Sequence, residues 1–110
     1  MTTSEKLQSL LTASVPCAVY ADFHYGKGET YITHEIVSER DSAYADDLPH
    51  EQIDTMRVHI FTKSNPVEIK QSVKKLLRNN DFTINYTEQL RESDTGYYHV
   101  IIQCQTLGGV

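Results

Sequence analysis

The hydrophobic positions change period several times along the chain, and each change marks an element. Leu7, Leu10 and Leu11 fall on one stripe at helical spacing. Thr2 and Glu5 have the spacing of a capping box, in which hydroxyl and carboxylate satisfy each other's orphan amides. A helix over about Ser4–Ser14 is predicted, ended by Pro16, because the residue before proline is driven out of the helical region. Cys17 to His24 is rich in strand formers and closes on the turn signal Tyr25-Gly26-Lys27-Gly28. A second strand over Thr30–Ser38 follows, with Ile32 and Ile36 on one face, and the glycine turn predicts a β-hairpin between the two strands.

Residues 39–51 carry neither period and read as an acidic loop. Met56, Val58 and Ile60 then alternate with Arg57, His59 and Phe61, predicting a strand over Ile53–Thr62. Asn65 as N-cap, Pro66 at the first helical position and Glu68 open the clearest segment. There Ile69, Val73, Leu76 and Leu77 repeat at i, i+4, i+7 and i+8, and Lys74, Lys75 and Arg78 suit the negative end of a helix dipole. Asn79-Asn80 offers a left-handed stop. A fourth strand places Phe82, Ile84 and Tyr86 on one face. A fifth, about Tyr97–Thr106, sets Tyr98, Val100, Ile102 and Cys104 against His99, Ile101, Gln103 and Gln105, and Leu107–Val110 is expected to fray.

The order α-β-β-β-α-β-β predicts one α+β domain over residues 1–110, a mostly antiparallel sheet of about five strands with both helices on one face. The other face then keeps Arg57, His59, His99, Gln103 and Gln105 mixed with Phe61 and Ile101. His59 and His99 become neighbours if their strands pair.

Composition narrows the function. The 110 residues hold 15 acids and 10 bases, a net charge of −5, which argues against general binding to nucleic acid or an anionic membrane. No apolar run approaches the roughly 18 residues of a membrane span, and the N-terminus lacks the pattern of a signal peptide, so a cytoplasmic-type protein is expected. Cys17 and Cys104 are too few and too far apart for a disulfide framework or a zinc knuckle, and both are expected to be reduced packing residues. The five histidines, His24, His34, His50, His59 and His99, show no HExxH spacing, and no serine sits in a GxSxG elbow. No metal, no cofactor and no catalytic site is expected.

The charge is polarised. Residues 1–50 hold eight acids and three bases, whereas residues 51–110 hold seven of each. The excess gathers around residues 39–51, and Lys70, Lys74, Lys75 and Arg78 crowd one helix. Tyr44, alone in the polar loop, has the character of an interface anchor.

Several landmarks together carry a resemblance. They are the leucine helix ending in Val15-Pro16, the strand Ala18-Val19-Tyr20, the opening Thr30-Tyr31-Ile32-Thr33, and Val58-His59-Ile60-Phe61. The capped helix closing on Lys75-Leu76-Leu77, the pair Asp81-Phe82, and Tyr97-Tyr98-His99-Val100-Ile101-Ile102 complete the set. Over about residues 5–106 the chain resembles the tail-completion proteins of long-tailed bacteriophages and prophages, the tail-terminator or tail-to-head joining group. Thr30 stands where that family often has proline. The resemblance implies a non-enzymatic assembly protein in the virion tail or neck, made in the bacterial host cytoplasm. It would form a hexameric ring on the head-proximal end of the tail tube, monomeric when free, with tail tube protein and a neck connector as partners. A head-closure protein or a small binding module of similar fold is the alternative.

A ring needs two unlike patches on each subunit. The acidic loop, through Asp41, Tyr44, Asp46 and Asp47, and the basic helix, through Lys70, Lys74, Lys75 and Arg78, form a complementary pair. The expectation is that the loop is ordered by a neighbouring copy.

Overall fold

The computed structural model describes residues 2–15, 17–21, 29–41 and 51–109; of Asp41, Glu51, Gly108 and Gly109 only the backbone is described. Two helices and five strands follow in the order α1 (Thr3–Ser14), β1 (Ala18–Ala21), β2 (Thr30–Asp41), β3 (Glu51–Thr62), α2 (Val67–Asn79), β4 (Thr83–Arg91) and β5 (Tyr98–Gly109). The strands form one sheet ordered β1-β2-β3-β5-β4, antiparallel except at β1. The α+β class and the element order agree with the sequence pattern.

Both helices lie on one face because their apolar stripes meet the alternating residues of the sheet. Leu7 and Leu11 of α1, with Val73 and Leu77 of α2, close over Ile32, Met56, Val58, Ile60, Val100, Ile102 and Cys104. Each such aliphatic side chain, taken out of water, contributes about 1.5–3 kcal/mol. The capping box of α1 forms as predicted: the Glu5 amide donates to Thr2 Oγ1 and the Thr2 amide to Glu5 Oε1, both at 3.1 Å. Those bonds hold the Glu5 carboxyl below its ordinary range.

Polar groups under the helices are tied down. Gln8 of α1 meets the buried His34 at 2.6 Å from its Oε1 and donates from Nε2 to the Val19 carbonyl at 3.0 Å, stitching α1 to β1 and β2. The buried Asp54 accepts from Thr3 Oγ1 and from Gln52 Nε2. Thr3→Ala leaves that carboxyl one donor short and is expected to lower stability by about 1–3 kcal/mol, read by urea denaturation.

Six expectations are corrected. β1 and β2 are not a hairpin: they run parallel, Val19 beside Ile32. A four-residue strand needs only a short return, and the eight residues between Ala21 and Thr30 reach about 26 Å when extended. Apolar alternation does not encode strand direction. Second, the unpatterned acidic stretch is partly strand, with Glu39, Arg40 and Asp41 pairing with Asp54, Ile53 and Gln52. Main-chain pairing extends the ribbon where side chains on both faces are polar, past a bulge between Ile36 and Ser38.

Third, residues 107–109 do not fray: Leu107, Gly108 and Gly109 continue β5 against Ile53, Gln52 and Glu51. Fourth, the left-handed residue after α2 is Asp81 at φ 68°, not Asn79 or Asn80. Asn80 instead donates from Nδ2 to the Leu76 carbonyl, and the amides of Asn80 and Phe82 both reach the Leu77 carbonyl. Fifth, a bulge between Ile84 and Tyr86 turns Tyr86 away from the core stripe, leaving it exposed. Sixth, Pro66 rather than Asn65 is the cap of α2 and Val67 the first helical residue, its amide donating to Asn65 Oδ1 at 3.0 Å.

Candidate assembly surface

The sheet order separates the two charged regions. α2 packs beside β4, anchored by Lys70 Nζ donating to Gln89 Oε1 at 3.0 Å. β4 is the edge strand opposite the β1–β2 side of the sheet. Lys75 and Arg78 are exposed, while Lys70 and Lys74 are half-buried. The acidic residues of β2 lie across the sheet, where Asp41 ends the strand opposite Gln52. The structure therefore does not bring the two groups together within one subunit. Tyr44, Asp46 and Asp47 lie outside the described residues.

Beside Asp41, β2, β3 and β5 form a three-stranded ribbon. Leu107, opposite Ile53, is 64% exposed there. The long strands give the molecule principal extents of 51 × 24 × 23 Å.

The face of the sheet away from the helices carries a second cluster. Tyr31 stacks on Phe61 with ring centroids 4.7 Å apart, and Phe61 on His99 at 4.2 Å. Tyr97 meets Tyr31 edge-on at 5.7 Å, and Lys63 lies 5.0 Å from the Tyr97 ring centroid. Tyr31 is buried within this aromatic packing, and among the described residues no helix lies over it. Next to the aromatics is a polar row. Arg57 donates to Gln103 Oε1 at 3.0 Å and lies 3.9 Å from Glu35. His59 and His99 are neighbours as the strand faces implied, with Nδ1 of the first 2.8 Å from Nε2 of the second.

The aromatic row was not anticipated as a unit, although Tyr31, Phe61 and Tyr97 all stand out of phase with the core stripes. Off-phase aromatics on β2 and β3, with a third immediately before β5, are the signal that finds it.

Both cysteines are free thiols. Burial raises Cys17 and pushes Cys104 up to about 12, which disfavours the reactive thiolate. Cys17 lines a cleft of about 330 Å³ between the end of α1 and the start of α2, with Thr30, Thr62, Ser64 and Glu68. The raised Cys17 thiol gives this cleft no mark of a nucleophile. Among the described residues, no group of three or more His, Cys, Asp or Glu is placed to hold a metal, and no helix is long and apolar enough to cross a membrane.

No protein-family model matches the sequence, and no curated protein matches it either. A solved structure does share the architecture. It is a chain in the virion of a native gene transfer agent particle, with a TM-score of 0.55 and 9% identity. The superposition covers 93% of this chain and 83% of that one. At that identity the likeness is one of fold.

Proposed function

We propose that the chain is a structural protein of a phage-like particle, acting at the end of the tail tube as a ring-forming tail-completion protein. The observation that carries this reading is the fold shared over 93% of the chain with a component of a gene transfer agent virion. The sequence landmarks point the same way independently of that superposition.

The arrangement of charge supports a ring over an isolated subunit. Heterologous contacts close into rings when unlike patches lie on different sides of each subunit. The basic helix α2 beside β4 and the acidic end of β2 lie toward opposite sides of one sheet. In this reading, residues 39–51 of one copy meet Lys70, Lys74, Lys75 and Arg78 of the next. Complementarity steers the encounter and sets the register more than it supplies affinity. The role is architectural, stopping tube growth and presenting a surface to the neck, and needs neither cofactor nor metal.

The test is to mix gold-labelled protein with tail tubes assembled from the tube protein encoded beside it and image them by negative stain. Label on one end of each tube is expected. Label confined to the portal vertex of tailless heads identifies a head-closure protein instead, and label on neither rejects the virion-assembly reading.

A further inference from the structure

Four groups form a line across the sheet face opposite the helices. Glu35 Oε1 on β2 lies 3.1 Å from His59 Nε2 on β3, and His59 Nδ1 lies 2.8 Å from His99 Nε2 on β5. His99 Nδ1 lies 3.8 Å from Glu92 Oε2, at the start of the β4–β5 turn. The proton positions follow from the partners. A carboxylate only accepts, so Glu35 fixes the proton of His59 on Nε2 and leaves Nδ1 as a lone pair. That lone pair requires a donor, which places the proton of neutral His99 on Nε2. One ring nitrogen of the pair is then left to take up a proton, His99 Nδ1. It faces a carboxylate that stands just beyond hydrogen-bond reach.

We propose that His99 Nδ1 is a proton-binding site that works as a latch, in which uptake of one proton draws Glu92 into a charge-assisted hydrogen bond and fixes the β4–β5 turn against the sheet. The proton comes from hydronium: one of its O–H bonds breaks as Nδ1–H forms, and water is released.

The turn is built to follow Glu92. Its amide donates to the Tyr97 carbonyl at 2.8 Å, its carbonyl accepts from the Gly96 amide at 2.9 Å, and its Oε1 accepts from Thr95 Oγ1 at 3.0 Å. A shift of Glu92 therefore moves residues 92–97 together. Gly96, at φ +78°, supplies the left-handed conformation that closes the turn.

The charged groups facing the pair are Glu35 from β2, Arg57 from β3, Glu88 from β4 and Glu92 from the turn. Burial, and then His59, hold His99 below the ordinary histidine range, and Glu92 and Glu88 oppose them in part. The stacked Phe61 ring, 4.2 Å away, offers its electron-rich face to the imidazolium once it forms. With its affinity for the proton lowered on folding, His99 carries less proton in the native than in the unfolded chain. Stability is therefore expected to fall as the pH drops below about 6.5, the value of an unperturbed histidine. The latch closes at that cost, on the acid side of neutrality.

The experiment is an NMR pH titration of the intact chain, following the imidazole nitrogens and backbone amides. Above the transition, both histidines should appear as Nε2–H tautomers. Through it, Nδ1 of His99 should gain the proton while the amides of residues 92–97 shift with the same midpoint. In Glu92→Gln the His99 midpoint should move lower and the turn amides should cease to follow it. A His59 Nδ1–H tautomer, or turn amides that stay flat through the His99 midpoint in the unmodified chain, overturns the proposal. So does a Glu92→Gln variant in which the amides still co-titrate.

Discussion

Replacing Ile60 with alanine is expected to lower the unfolding free energy by about 2–5 kcal/mol, a large part of the roughly 5–15 kcal/mol available to a domain. Ile60 is fully buried on the central strand, opposite Ile32 of β2 on one side and Val100 of β5 on the other. Three strands contribute to the layer it fills, so the cavity left by truncation cannot close by moving one side chain. Urea denaturation monitored by circular dichroism reads the loss directly. Leu107→Ala supplies the contrast: its side chain is 64% exposed, and the change should stay within about 0.5 kcal/mol. Comparable losses at the two positions would contradict the placement of the core.

The second large effect is expected in assembly. Lys75 and Arg78 are exposed on the last turns of α2, away from the core, and under the ring reading they face the acidic segment of the next subunit. Lys75→Glu with Arg78→Glu sets like charges opposite one another, and a reduction of at least about tenfold in completed particles is expected, equivalent to about 1.4 kcal/mol or more. The monomer should keep its fold, losing about 1 kcal/mol for each acid introduced near the helix C-terminus. Reversal of Asp46 and Asp47 to lysine in the same chain should restore part of the yield, because the opposite charges then face each other in exchanged positions. An undiminished particle count for the first pair, scored by electron microscopy, removes the charge-matching account of the ring contact. It leaves the tail-end location to the labelling experiment.

Much of the architecture was written in the side-chain pattern. The stripes of α1 and α2, the capping box at Thr2 and Glu5, and the alternation around Val58 and Val100 follow from burial, and burial leaves a period in the sequence. The paired histidines are legible for the same reason, because the core stripes of β3 and β5 put His59 and His99 on the opposite face of adjacent strands. What burial does not control was not legible. The direction of β1 was not, because apolar alternation is the same in parallel and antiparallel pairs and the glycine turn signal favoured the hairpin that does not form. The extensions of β2 to Asp41 and of β5 to Gly109 depend on main-chain hydrogen bonds, which leave no apolar period. At Tyr86 a single inserted residue shifts the phase, and alternation read through a bulge gives the wrong face.

The candidate site divides along the same line. Charge asymmetry was visible from the sequence, since counting residues suffices to find it. Its geometric sense required the strand order, which sends α2 and the end of β2 toward opposite sides of the sheet. The aromatic row of Tyr31, Phe61 and Tyr97 was hidden for a different reason. Each residue alone fits the edge of a core, and only the β2–β3 register and the return of the chain at Tyr97 join them.

The proposed structural role in ending the tail tube is tested by the length of tails made without this chain. With its gene deleted and the rest of the particle's genes intact, electron micrographs should show tubes of uncontrolled length unattached to heads, corrected when the chain is supplied from a plasmid. Tails of normal length, joined to heads in normal number, would contradict the claim.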